Sequence, residues 1–103
     1  MSRADALRAM LAQDSKNSFA RYGLAMELLN GGQPEQAMTE FRALIDADPN
    51  YAAAYFHGGQ ALEKMGEPEQ ARRMYERGIE VTGRTGDAHT RSELQAALDL
   101  LPL

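Results

Sequence analysis

The chain has 103 residues, enough to bury one modest core and too few for two, so a single domain over residues 1–103 is expected. Hydrophobic residues at 44% and charged residues at 25% fit a globular chain and exclude disorder along most of its length. A net charge of −4 offers no global attraction for a phosphate backbone, and the lack of cysteine removes disulfides, thiolate catalysis and cysteine-ligated metals. Nothing approaches the apolar run of a membrane span, and Met1-Ser2-Arg3-Ala4-Asp5 does not open a signal peptide. No nucleic acid, no membrane, no cofactor and no metal is therefore expected, and the cytoplasm is the default location. Residues that favour helix dominate and no segment reads as a strand, which makes the fold class all-α.

In chain order, residues 3–14 read as a helix with Ala4, Leu7, Met10 and Leu11 on one face and a capping box at Ser2 and Asp5. From Ser18 to Asn30 a helix carries two apolar stripes. Phe19, Tyr22, Met26 and Leu29 form one, and Ala20, Leu24 and Leu28 form another on roughly the opposite side. Gly32 suits the left-handed residue past that helix, and Pro34 suits the first turn of the next. After Pro34, Ala37, Met38, Phe41, Leu44 and Ile45 keep helical spacing until Asp48-Pro49-Asn50 breaks the chain.

The block Gly32-Gln33-Pro34-Glu35-Gln36-Ala37 returns 34 residues later as Gly66-Glu67-Pro68-Glu69-Gln70-Ala71, identical at five of six positions. The same shift carries Leu28 to Leu62, Ala20 to Ala54, Tyr22 to Phe56, Phe41 to Tyr75 and Ile45 to Ile79. Gly58-Gly59 falls inside the second unit's first helix, where each glycine costs about 1 kcal/mol relative to alanine, so close approach of the paired helix is expected there. Leu94 and Leu98 repeat the spacing of Leu24 and Leu28 at two periods plus two residues, and the insertion is assigned to a loop at Gly83-Arg84-Thr85-Gly86. The last helix is expected at about 88–101, starting near Asp87 or Thr90.

The period, the small residues Ala37 and Ala71, the aromatics Phe41 and Tyr75 four residues later, Pro49, Tyr55, Leu24 and Leu28 together resemble the tetratricopeptide repeat family. Arg21, Gly58-Gly59 and Gly83 depart from its pattern. The resemblance implies a right-handed superhelix of antiparallel helix pairs, about six helices in all. The chain divides into an N-terminal half-repeat (3–14), repeat 1 (18–51), repeat 2 (52–85) and a C-terminal capping helix (88–101). It also implies that the first helix of each repeat lines a concave groove where peptides lie. On that face the partner-binding candidates are Phe19, Tyr22, Met26, Phe56, His57 and Gln60. The plain alternative is that Phe19, Tyr22 and Met26 pack under the chain's own N-terminal helix. One subgroup of the family grips chaperone C-termini through lysine, asparagine and arginine. Those positions here hold Tyr22, Met26, His57, Ser92 and Ala96, so that activity is disfavoured.

His57 and His89 are the only imidazoles, 32 residues apart, and neither is read as paired with a carboxylate. No catalytic residue is assigned. The leading reading is a protein–protein interaction module that binds a partner's peptide or helix in the groove. Self-association into a homodimer or larger homo-oligomer is the alternative, and an enzyme is the weakest.

Overall fold

In the computed structural model, which describes residues 1–102, six helices follow one another: α1 (Arg3–Gln13), α2 (Ser18–Asn30), α3 (Pro34–Ala47), α4 (Ala52–Lys64), α5 (Pro68–Thr85) and α6 (Ala88–Asp99). No strand occurs among the described residues. None of these helices is long and apolar enough to cross a membrane.

The boundaries follow from local chemistry. Ser2 Oγ accepts from the Asp5 amide and the Asp5 carboxylate accepts from the Ser2 amide, both at 3.1 Å, which completes the expected capping box. Asn17 caps α2 through the Ala20 amide and Asp87 caps α6 through the Thr90 amide. α2 and α4 end in the same way. Gly32 (φ 77°) and Gly66 (φ 74°) adopt the left-handed conformation. The amides of Gln33 and Glu67 reach back to Leu28 and Leu62 at 2.9 Å, those of Gly32 and Gly66 to Leu29 and Glu63, and a proline then opens the next helix.

α1 and α6 stop slightly short of expectation, at Gln13 and Asp99, and one boundary differs more. α5 runs through Gly83, Arg84 and Thr85 and stops only at Gly86, whose φ is 80°. The two-residue insertion thus lengthens a helix and does not form a loop. The reason lies 34 residues earlier: Pro49 forces α3 to end at Ala47, whereas Gly83 at the matching place imposes no such stop.

Each helix packs on its successor, most extensively α2 on α3 and α4 on α5, while α4 also touches α2 and α6. The first helices of successive units therefore stand side by side along one face of a 40 × 29 × 19 Å body. The core runs between the two rows of helices, with Phe41, Met38, Leu44, Tyr55, Leu62, Tyr75 and Leu94 essentially inaccessible. Arg21, which breaks the family pattern, spans α2 and α3: it bonds Glu40 at 2.7 Å and the Ser15 carbonyl at 3.2 Å, with both side chains of the pair largely covered.

The two glycines of α4 are not equivalent. A Cβ at Gly59 would stand 2.1 Å from the Tyr75 ring, so only glycine fits; at Gly58 the nearest atom, on Met38, is 3.5 Å away, an ordinary contact. α5 answers with Gly78, where a Cβ would meet Tyr55 at 2.7 Å and Leu94 at 2.9 Å. Tyr75 thus fills the space over α4 and Tyr55 the space over α5.

Candidate functional site

The face formed by α2, α4 and α6 carries a row of rings. Tyr22 lies 5.3 Å from Tyr51 and 5.9 Å from His57, and His57 lies 5.1 Å from Phe56 in an edge-to-face contact. Phe56 in turn lies 6.4 Å from Tyr75. Helical spacing puts Phe56 and His57 on α4 beside Tyr22 on α2, while Tyr51, the residue before α4, closes the row from the loop. All of Tyr22, Tyr51, Phe56 and His57 are half-buried, and the rings of Tyr22, Tyr51 and Phe56 pack against the core. Burial pushes the Tyr22 and Tyr51 hydroxyls above the ordinary tyrosine value, with Tyr51 adding to the shift at Tyr22 and Asp48 to that at Tyr51. Both stay neutral donors at physiological pH.

At the C-terminal end the row opens into a cavity of about 380 Å³. It is floored by Phe56, Tyr75, Ala96 and Ala97 and edged by Gln60, Glu63 and Glu93. The Tyr75 hydroxyl donates a short hydrogen bond to Glu63, and burial with this bond raises the tyrosine's pKa strongly. Gln60 Oε1 lies 3.0 Å from His57 Nδ1. With an amide oxygen as acceptor, the ring carries its proton on Nδ1, and the Gln60 amino group is left to donate elsewhere.

Of the six residues expected on this face, Tyr22, Phe56, His57 and Gln60 come together, and Met26 lies half-buried against the core. Phe19 stands apart, 70% exposed at the start of α2. The alternative that α1 covers this stripe fails for Phe19. α1 instead meets α2 through Leu7, which lies against Gly23, and through an Arg3–Glu27 pair at 3.1 Å. Leu29, placed on the same stripe from the wheel, is buried. Tyr51 is not among the expected residues, and the sequence marks Tyr75 only as the repeat's aromatic, the counterpart of Phe41. Tyr51 sits in a loop that helical periodicity does not cover; the one signal for it is an aromatic directly after the Asp-Pro-Asn break.

His89, read as lacking a carboxylate, has Glu93 one turn later, and the two approach to 3.5 Å on the exposed face of α6. His57 pairs with Gln60 alone. Among the described residues, no three His, Asp or Glu side chains come together as a metal site would require.

A tetratricopeptide repeat model matches residues 4–55 and again residues 28–98, two overlapping windows that together cover nearly the whole chain. The chain belongs to the tetratricopeptide repeat family. A TPR repeat-containing protein of Pseudomonas aeruginosa is 29% identical over 94 residues, covering 91% of this chain and 90% of that one. A Bordetella parapertussis protein solved in solution is 32% identical with a TM-score of 0.86, covering 98% of this chain and 88% of its own. PcrH, solved in complex with the chaperone binding region of PopD, superposes with a TM-score of 0.89 over 95% of this chain and 74% of its own. At 16% identity it speaks for the fold alone. A TPR fold of this kind supports a role in protein–protein interaction.

Proposed function

We propose that this TPR domain binds an apolar, helical or extended segment of a partner protein along the α2–α4–α6 face. The observation that carries the reading is the continuous row Tyr51, Tyr22, His57 and Phe56, whose contacts lie between 5.1 and 5.9 Å. Half-buried rings on a rigid helical layer offer contact area at little cost in conformational entropy, which is how interface anchors work. Met26 adds an adaptable thioether beside them. Phe19, largely exposed, reaches out at the N-terminal end of α2. The Gln60 amino group, freed by the His57 contact, supplies a donor for a carbonyl of the bound segment. PcrH, with the same fold, holds a region of another protein.

Co-purification with wild type and with Tyr22→Ala/Phe56→Ala tests this, after circular dichroism has established that the variant stays helical. The expected outcome is a partner held by wild type and weakened at least about tenfold by the variant. Equal capture by both removes the aromatic row from the account.

Self-association is the second reading, favoured by Phe19 and by Leu100, 84% exposed just past α6. Light scattering separates the two, because a monomer at high micromolar concentration rules out the homo-oligomer.

A further inference from the structure

The nine arginines of this acidic chain divide sharply. Five have a carboxylate within 4 Å: Arg3 with Glu27, Arg8 with Asp5, Arg21 with Glu40, Arg72 with Glu69 and Glu76, and Arg84 with Glu80. Among the described residues, four have none, and three of those four, Arg42, Arg73 and Arg77, line one cavity of about 180 Å³. It lies between α3 and α5, with Leu62 and Met74 as its apolar floor, and shares no residue with the aromatic row.

The guanidinium groups are placed by neutral neighbours. Arg42 donates to Gln70 at 3.4 Å, and Gln70 is itself turned by donating to Glu67 at 3.0 Å. Arg77 lies over the Tyr55 ring at 5.6 Å. Arg73 follows Glu69 by one helical turn, but that carboxylate is engaged by Arg72 at 2.8 Å. Arg73 and Arg77 also stand four apart on one helix, a like-charge spacing that destabilises the free protein. Arg77 is shared with a second cavity of about 190 Å³, lined also by Pro49, Tyr55, Val81, Glu80 and Arg84.

We propose that this cleft is a second docking site, for a short extended peptide segment that carries carboxylates beside an apolar side chain. Two adjoining cavities, each below the roughly 300–1,000 Å³ of small-molecule sites, suit consecutive side chains of an extended chain. Guanidinium pairs carboxylate through parallel hydrogen bonds, and the Leu62–Met74 floor accepts the apolar neighbour. A long polyanion is disfavoured, since the net charge of −4 repels whatever extends beyond the cleft. In the second cavity Arg84 already pairs with Glu80 and only the shared Arg77 is left to a carboxylate, so the segment's carboxylates lie at the Arg42–Arg73 end and its neutral part at the Glu80–Arg84 end.

The test uses a fluorescent peptide of alternating glutamate and leucine, titrated with the full chain at low salt. The expected result is saturable binding that weakens at least about tenfold in Arg42→Gln/Arg73→Gln/Arg77→Gln and again on raising the salt. Binding should be unchanged in Tyr22→Ala/Phe56→Ala. A glutamine-for-glutamate version of the peptide should not compete. The arginine variant should melt close to wild type, because the Arg73–Arg77 repulsion it relieves offsets the Arg77–Tyr55 contact it loses. If it does melt lower, backbone shifts in the wild-type protein decide: peptide-induced shifts at Arg42, Leu62, Met74 and Arg77 support the site, and shifts confined to Tyr22 and Phe56 overturn it. No binding to wild type, equal binding to the arginine variant, or stronger competition by a heparin oligosaccharide than by free peptide would each overturn the proposal.

Discussion

The two helix pairs α2–α3 and α4–α5, related by the 34-residue shift, solve one packing problem with different residues. Where the first has Ala25, Leu29 and Phe41, the second has Gly59, Glu63 and Tyr75 at the 34-residue shift. In the first, Ala25, Leu29 and Phe41 are all buried. In the second, the larger ring takes the space of a missing methyl, and its hydroxyl is answered by a carboxylate where the first repeat keeps a leucine. A second exchange runs the same way. Arg21 and Leu44 correspond to Tyr55 and Gly78, so the volume lost from α5 is returned by α4. Gly59 and Gly78 are each half of a compensated pair, and a core is sensitive to volume when one half changes alone.

Breaking the pair should have the largest effect. Gly59→Ala drives a methyl into the Tyr75 ring and is expected to cost about 2–3 kcal/mol, read from urea unfolding of the helical signal. Importing the first repeat's whole solution, Gly59→Ala/Glu63→Leu/Tyr75→Phe, should restore about half of that loss, a coupling that additive single effects would not produce.

Tyr75→Phe alone removes the bond to Glu63 and should cost about 1 kcal/mol, discounted because the carboxylate keeps its water. It carries a pH signature. Because the Tyr75 hydroxyl is raised in the folded state, its contribution is complete below the unfolded value near 10 and is lost as pH rises beyond it. Stability of the phenylalanine variant should therefore fall less steeply than wild type in that alkaline window. Identical slopes would mean that the hydroxyl is neither buried nor bonded to Glu63 in solution. The smallest effect is a gain: Gly58→Ala, which meets only ordinary contacts, should stabilise by about 0.5–1 kcal/mol. A loss there would extend the tight fit of Gly59 to its neighbour.

The helices and their turns were legible because they depend on residues close in sequence. Gly32-Gln33-Pro34 and its repeat carry the helix end, the left-handed residue and the next start within a few positions. Gly58 and Gly59 could not be told apart, since the difference lies in a ring sixteen residues away on another helix. The length of α5 was misjudged because a missing proline leaves no mark of where a helix then ends. Of the aromatic row, Tyr22 and Phe56 follow from the repeat register, whereas Tyr51 lies outside any periodic window. The Arg42, Arg73 and Arg77 cluster depends on α3 and α5 flanking one cleft, which a wheel of either helix cannot reveal.

The Tyr55 hydroxyl donates to the Pro49 carbonyl at 2.6 Å while its β-carbon lies against Gly78. One side chain of α4 thus grips the turn that closes the first repeat and the helix that completes the second. In repeat arrays, cooperativity is set by such nearest-neighbour couplings relative to the stability of each unit. Tyr55 should make the two repeats unfold as one, so that amides in α3 and α5 exchange with solvent at a common opening free energy. Removing its hydroxyl would let the first repeat's turn fray on its own.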